Sequence, residues 1–257
     1  MNIWILEVGN TRAKWAAFRD NDGSTAEPFS VEATNIPPDA AQAMAIWSAQ
    51  TASEDVICIT GSGDLDPWLQ AAPHAKVLRP GDEVPLDTAA VPSISLGLDR
   101  VANAWAVLQG KVTGAEATGD WLVVDAGTCL TMDLVSGGRH LGGTISPGAQ
   151  LRLNAMHDHA KALPSIQVPL DRQPLGHASA MGTSTEHAML AGVFGGMDAE
   201  ITGKWGALRQ EMPNLGLVLA GGDAKFLELR TISPKFADAH LTLKGFHALF
   251  QYAHDHR

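Results

Sequence analysis

A chain of 257 residues, 45% of them hydrophobic, has room for one large domain or two of about 100–150 residues, with a sizeable core. Its net charge of −10, without any basic block, argues against nucleic acid as the main partner; anions must be held locally by backbone N–H groups and a few placed Lys or Arg. Cys58 and Cys129 form neither a CxxC pair nor a disulfide framework, which fits a reducing cytoplasm. No run reaches the roughly 18 apolar residues of a membrane span, and Glu7 interrupts any signal-peptide core.

The first predicted element, NIWILEVGNTRAKWAAFRD, reads as strand, turn, strand. Residues 39–51 are Ala-rich and open with Asp39 after two prolines, a helix start. The β-branched run DVICIT (55–60) predicts a buried strand, followed by a Gly loop and a short helix in GSGDLDPWLQAA. Residues 80–98 carry three prolines and no period, so a loop is expected. DRVANAWAVLQGK has helical spacing, and 111–120 is a polar connection. A second strand-rich block begins at DWLVVDAGTCLTMDLVSGG. Helices are expected after the Pro147-Gly148 corner and along TSTEHAMLAGVFGGMDAEITGKWGAL. NLGLVLAGGDAKFLELR reads as strand, Gly-Gly turn, helix. Strands and helices alternate twice, an α/β organisation.

The two halves resemble each other. LEVGNTRAKW aligned with VDAGTCLTMD puts Glu7 on Asp125, Gly9 on Gly127 and Asn10 on Thr128. Each half later has its own strand entering a Gly turn, VICITG and LVLAGG. A period this long is domain duplication rather than a solenoid. It predicts lobes at 1–118 and 119–257, each offering a carboxylate-x-Gly-[Asn/Thr] hairpin to one cleft.

Two common nucleotide signatures are missing. After Gly110-Lys111 comes Val112, so there is no G-x-x-x-x-G-K-[ST], and GSGDLD has Asp66 where a third glycine belongs. The hairpins carry the chemistry instead. Glycine permits close backbone approach to a phosphate. Asn10, Thr11 and Thr128 add side-chain donors, and Glu7 and Asp125 can hold a hydrated cation bridging phosphate oxygens. Lys14 can reach a phosphate as a point charge. One such hairpin alone is as readily an ordinary turn; two in register favour a function. In LGLDR, Asp99 stands at a helix start, where a carboxylate can accept a proton from an attacking hydroxyl, with Arg100 beside it to hold an anion. An isolated Asp-Arg pair at a helix start is more often a cap beside a solvated arginine. GGTISPG (142–148) and LAGGDAKFL (219–227) add glycines where the chain passes close to something.

The ordered set EVGNT, LGLDR, DAGTCLTMD, GGTISPG, TSTEHAMLAG and LAGGDA, from Glu7 to Asp223, resembles the type III pantothenate kinases. These share a superfamily with acetate and sugar kinases, actin and heat-shock chaperone ATPase domains. The resemblance implies a duplicated ribonuclease-H-like fold with two lobes around a nucleotide cleft, a homodimer, and ATP-dependent phosphorylation of pantothenate, the first step towards coenzyme A. It also implies Mg2+ and a monovalent cation, K+ or NH4+. By the same resemblance, Asp99 matches the proton acceptor, and Gly97, Leu98, Asp99 and Arg100 match the pantothenate segment. Glu7, Val8, Gly9, Asn10, Thr11, Arg12, Ala13 and Lys14 match the ATP phosphate loop. Thr128 matches an ATP contact, Thr185 a pantothenate contact and Asp125 the monovalent-cation ligand.

There are two departures from the family pattern. The first motif usually starts with Asp, where this chain has Glu7, and the tyrosine common before LGLDR is absent, Tyr252 being the only tyrosine here. Two alternatives stay open at this level: a non-catalytic regulatory relative of the same family, and a kinase for another small hydroxyl substrate. His157 and His159, two apart on a helix, do not share a face and predict no metal site. The seven tryptophans are read as core or dimer contacts, Cys129 as a small buried residue, and the HDHR tail as a solvated end.

Overall fold

The computed structural model describes residues 1–20, 27–36, 39–79, 86–88, 96–168 and 181–255. Most of the Pro-rich connection at 80–98 lies outside the described residues, including 89–95 of the stretch that lacks a tyrosine, and so does the end of the HDHR tail. Packing divides the chain into two units: Met1–Ala117 with Gly138–His140 and His240–Arg257, and Thr118–Gly137 with Leu141–Ala239. The last helix is thus grouped with the first unit, whereas the sequence division at 118/119 assigns it to the second half.

In the first unit, β1 (Asn2–Val8) and β2 (Arg12–Arg19) form an antiparallel hairpin. β3 (Ser30–Asn35) extends it beyond β2, while β4 (Val56–Gly61) and β5 (Lys76–Val77) run parallel on the other side of β1. The strand order is β3-β2-β1-β4-β5. α1 (Ala40–Ser48) begins where expected, with the Asp39 carboxylate accepting from the Gln42 N–H at 3.1 Å. α2 (Asp66–Ala71) has Pro67 in its first turn. Both helices cover one sheet face over a core of Trp4, Leu6, Val8, Trp15, Met44, Trp47 and Trp68. Four of the indoles stack in series: Trp4–Trp15 at 5.1 Å, Trp15–Trp47 at 5.7 Å and Trp47–Trp68 at 5.7 Å. Such contacts contribute about 1 kcal/mol each beyond area burial. They give four of the seven tryptophans a core role. The opposite face carries α3 (Leu98–Leu108) and α6 (Leu241–Asp255), which pack on each other.

The second unit repeats the plan. β6 (Trp121–Ala126) and β7 (Cys129–Ser136) form the antiparallel hairpin, and β8 (Arg139–Pro147) flanks β7. β9 (Gly216–Ala220) and β10 (Lys235–Ala237) run parallel beyond β6. The order β8-β7-β6-β9-β10 reproduces that of the first sheet strand for strand. α4 (Ala149–His159) and α5 (Thr185–Arg209) cover it through Leu153, Met189, Val193, Phe194, Met197 and Ile201. The apolar positions of α5 fall three and four apart and so share one stripe.

Two elements differ from the sequence reading. The Gly-Gly turn after β9 leads into a single 3-10 turn, Ala224–Phe226, rather than a helix. The chain is diverted there because the Asp198 carboxylate on α5 accepts the Glu228 N–H at 3.2 Å. Residues 241–253, to which the sequence reading assigned no element, belong to the fifteen-residue α6, buried without a break from Leu241 to Phe250; His254, the first residue of the HDHR end, is exposed. No helix among the described residues is long and apolar enough to cross a membrane.

Candidate active site

Alternation along β1 sorts the first hairpin into two chemistries. Trp4, Leu6 and Val8 enter the α1/α2 core, so Ile3, Ile5 and Glu7 point to the other face. On β2, Trp15 and Ala17 enter that same core, leaving Lys14, Ala16 and Phe18 opposite. The Phe18 ring stacks on His247 of α6 at 4.3 Å, which identifies this second face as the one under α3 and α6. Glu7 and Lys14 are direct cross-strand partners there, and the Lys14 Nζ donates to Glu7 Oε2 at 2.9 Å. Asn10, Thr11 and Arg12 are exposed at the hairpin tip. Val8 and Ala13 are buried, which leaves only their backbone to a ligand.

The hairpin is held from below. Its turn closes through Gly9 N–H donating to Arg12 O at 2.9 Å, and Gly63 N–H donates to Val8 O at 2.8 Å. Gly61 has φ +129°, and a Cβ there would stand 2.2 Å from Val8 O, so the strand end admits only glycine. On the α1/α2 face, a groove of about 370 Å3 lies between Gly9–Asn10, Ile36, Ala40, Gly63–Asp64 and Pro67–Trp68. Among the described residues its one charged lining side chain is Asp64, while Lys14 is on the other face.

α3 belongs to the same unit and packs on α6. Gly97 is its N-cap, and Asp99 lies in the first turn, where Oδ1 accepts the Arg100 N–H at 2.9 Å. Leu98 is buried and Asp99 and Arg100 are half-buried. The amide dipoles of the helix favour a negative charge at this end. α3 is seated against α6 very closely: a Cβ on Gly245 would come within 2.1 Å of Ala102 O, one turn from Asp99.

The second unit contains a matching hairpin. Asp125 ends β6 opposite Thr131, and Gly127 N–H donates to Cys129 O at 3.0 Å. The connection is Gly127-Thr128, one residue shorter than Gly9-Asn10-Thr11. Asp223 N–H donates to Ala126 O at 2.9 Å, as Gly63 does to Val8 O in the first unit. Gly221 has φ +93°, and a Cβ there would meet Ala126 O at 2.3 Å and Asp125 Oδ1 at 2.5 Å. The GGTISPG corner leans on the same turn, with Gly148 N–H donating to Thr128 O at 3.0 Å. Ser146 of that motif donates to Glu200 Oε1 at 2.7 Å, and Arg152 donates to Glu200 Oε2 at 2.5 Å, which ties the corner to α4 and α5. Burial raises the Glu200 carboxyl, but the Arg152 and Ser146 hydrogen bonds outweigh it and hold the group below its ordinary range. Cys129 is half-buried. Thr185 is the first residue of α5, exposed, behind Ser184, whose hydroxyl caps the helix by accepting from His187 N–H at 3.3 Å.

Glu7, Lys14, Asp99 and Arg100 therefore belong to one unit, and Asp125, Thr128 and Thr185 to the other. The sequence reading set GSGDLD aside as an incomplete dinucleotide fingerprint; its Gly61 and Gly63 turn out to support the first hairpin. Part of the signal was available in VICITG and LVLAGG, each a strand entering a Gly turn, but aligned as strings they put Gly61 on Gly222; it is the register of β4 on β1 and of β9 on β6 that matches Gly61 with Gly221.

Residues 3–206 match the family model for type III pantothenate kinase. A relative named type III pantothenate kinase from Flavobacterium johnsoniae is 30% identical over 256 residues, 98% of this chain and 99% of its own length. Another of that name, from Bacteroides fragilis, is 38% identical over 162 residues, 62% of this chain; the match spans 61% of that relative's length. Among solved structures, a Baf-family transcriptional activator from Campylobacter jejuni superposes with a TM-score of 0.57 at 22% identity, covering 98% of this chain and 99% of that one. That likeness establishes the fold, the duplicated ribonuclease-H-like arrangement already evident in the repeated strand order. The chain belongs to the type III pantothenate kinase family.

Proposed function

We propose that the protein transfers the γ-phosphoryl group of ATP to the primary hydroxyl of pantothenate. In this reading the hairpin from Glu7 to Lys14 holds the phosphates through its backbone N–H groups, the hydroxyl-bearing tip and the Lys14 charge. Thr128 of the second hairpin contacts the nucleotide. At the Gly97–Arg100 segment, pantothenate is positioned by Arg100, which holds its carboxylate, together with the Thr185 hydroxyl, while Gly97 offers the substrate no side chain. Asp99 accepts the hydroxyl proton as the oxygen bonds to phosphorus and the bond to ADP breaks.

The Glu7 carboxylate is an oxygen donor of the kind Mg2+ takes beside waters and phosphate oxygens, and would hold the ion through them. When bound, the metal would neutralise charge on the phosphates. Asp125 is the proposed ligand of a monovalent cation, K+ or NH4+. A homodimer in a reducing cytoplasm completes the proposal.

The observation that supports this most is the common sheet face. Strand alternation puts Glu7 and Lys14 on the side that carries α3, whose first turn holds Asp99. The test follows ADP release from purified protein with ATP, Mg2+, K+ and pantothenate. Pantothenate-dependent ADP is expected, and Asp99→Asn should lower turnover by about 10²–10⁴ while nucleotide binding persists. Turnover near normal in Asp99→Asn would remove Asp99 from its role. No pantothenate-dependent ADP would favour a regulatory relative, and activity with sugars or acetate instead would identify a different kinase.

A further inference from the structure

We infer that Gly97 is a positioning residue for Asp99: the missing side chain leaves room for the carboxylate to fold back onto the start of α3. The inference rests on the reading of Asp99 as proton acceptor. Gly97 has φ −54° and ψ +138°, a conformation open to any L-residue, so backbone freedom does not account for the glycine. Space does. A Cβ at Gly97 would stand 2.7 Å from Asp99 Oδ1, and the next nearest atoms, Arg100 Cδ and Asp99 Cγ, are both at 3.9 Å.

The oxygen that would be struck is the one that accepts the Arg100 N–H at 2.9 Å. That hydrogen bond fixes the carboxylate rotamer and orients its second oxygen. A methyl group at position 97 would turn the carboxylate out of this seat and leave the helix where it is. Gly61, Gly63, Gly148 and Gly245 differ in kind, because a Cβ on each of them meets a backbone carbonyl at 2.0–2.4 Å. At Gly97 the obstacle is the free end of a flexible side chain, which can swing away at little cost in stability. The expected effect is therefore on chemistry rather than on folding.

The test compares the wild type, Gly97→Ala, Asp99→Asn and the double variant in the pantothenate-dependent ADP assay, with thermal melts of each. Gly97→Ala is expected to lower kcat about 10–100-fold, as displacement of a reacting group by about 1 Å can. KM for pantothenate should stay within about twofold, and Tm within about 2 °C. In the Asp99→Asn background the same change should matter less than about twofold, because the group it positions is gone. A raised KM with kcat intact, or a full effect on top of Asp99→Asn, would show that Gly97 acts on the substrate directly and would overturn the inference. Unchanged kinetics would overturn it as well. So would an unfolded Gly97→Ala, since the clash would then lie with the backbone. Near-normal turnover in Asp99→Asn alone is a separate result, which removes the proton acceptor rather than its support.

Discussion

Glu7 and Lys14 make one contact that two different roles would explain. The pair is half-buried, with side-chain exposures of 14% and 33%, and its 2.9 Å hydrogen bond spans the hairpin just below the tip. As a purely structural ion pair it would be worth no more than about 1 kcal/mol. In the proposed phosphate site it would have another use: the carboxylate would keep the ammonium at the hairpin mouth until a phosphate competed for it. The longer side chain of Glu7, compared with the family's usual aspartate, reaches its partner across the strands. Lys14→Met and Glu7→Gln should each weaken MgATP binding about tenfold by calorimetry, while urea unfolding changes by less than about 1 kcal/mol. Lost stability with unchanged nucleotide affinity would make the pair a strand clip and nothing more.

At the scale of elements, the parts legible in the sequence are those with local causes. Asp39 after two prolines starts α1, and Gly-Asn-Thr and Gly-Thr between apolar runs make the two hairpins. The elements missed have non-local causes. The 3-10 turn after β9 is short because Asp198, thirty residues earlier, takes the Glu228 N–H. α6 was hidden by polar residues in a helix that is nonetheless buried. Lys244 is only 1% exposed and survives burial through its ion pair with Glu27 and a 3.3 Å bond to Lys111 O.

His247 has no such compensation among the described residues, where neither ring nitrogen finds a hydrogen-bond partner. Burial, and then the positive charge of Lys111, push it down to about 4. Its pKa is thus lower in the folded than in the unfolded chain, where a histidine titrates near 6.5. The unfolded state binds the extra proton between these values, so stability is lost as pH falls from about 6.5 towards 4, by at most about 3 kcal/mol. His247→Leu should flatten that part of the stability–pH curve relative to the wild type in urea melts at pH 4–7. Parallel curves would mean that the ring is solvated or paired in solution.

For the whole molecule, the central question is whether two copies of one hairpin act on one ligand. Duplication explains why the sheets share a strand order and why Gly63 and Asp223 make the same backbone bond in their own halves. It does not by itself require a shared nucleotide. Glu7 and Asp125 belong to different packing units, and substitutions that share no partner should add to within about 0.5 kcal/mol. If a single MgATP engages both turns, the two carboxylates become coupled through it. Removing one then changes what the other is worth, with an interaction free energy of about 0.5–3 kcal/mol. Calorimetric MgATP affinities for the wild type, Glu7→Gln, Asp125→Asn and the double variant give that coupling directly. It should also vanish in unfolding measurements without nucleotide, where the two sites have only their own cores to report. Additive losses in MgATP affinity would assign the phosphates to one hairpin alone and leave the other as a structural relic of the duplication.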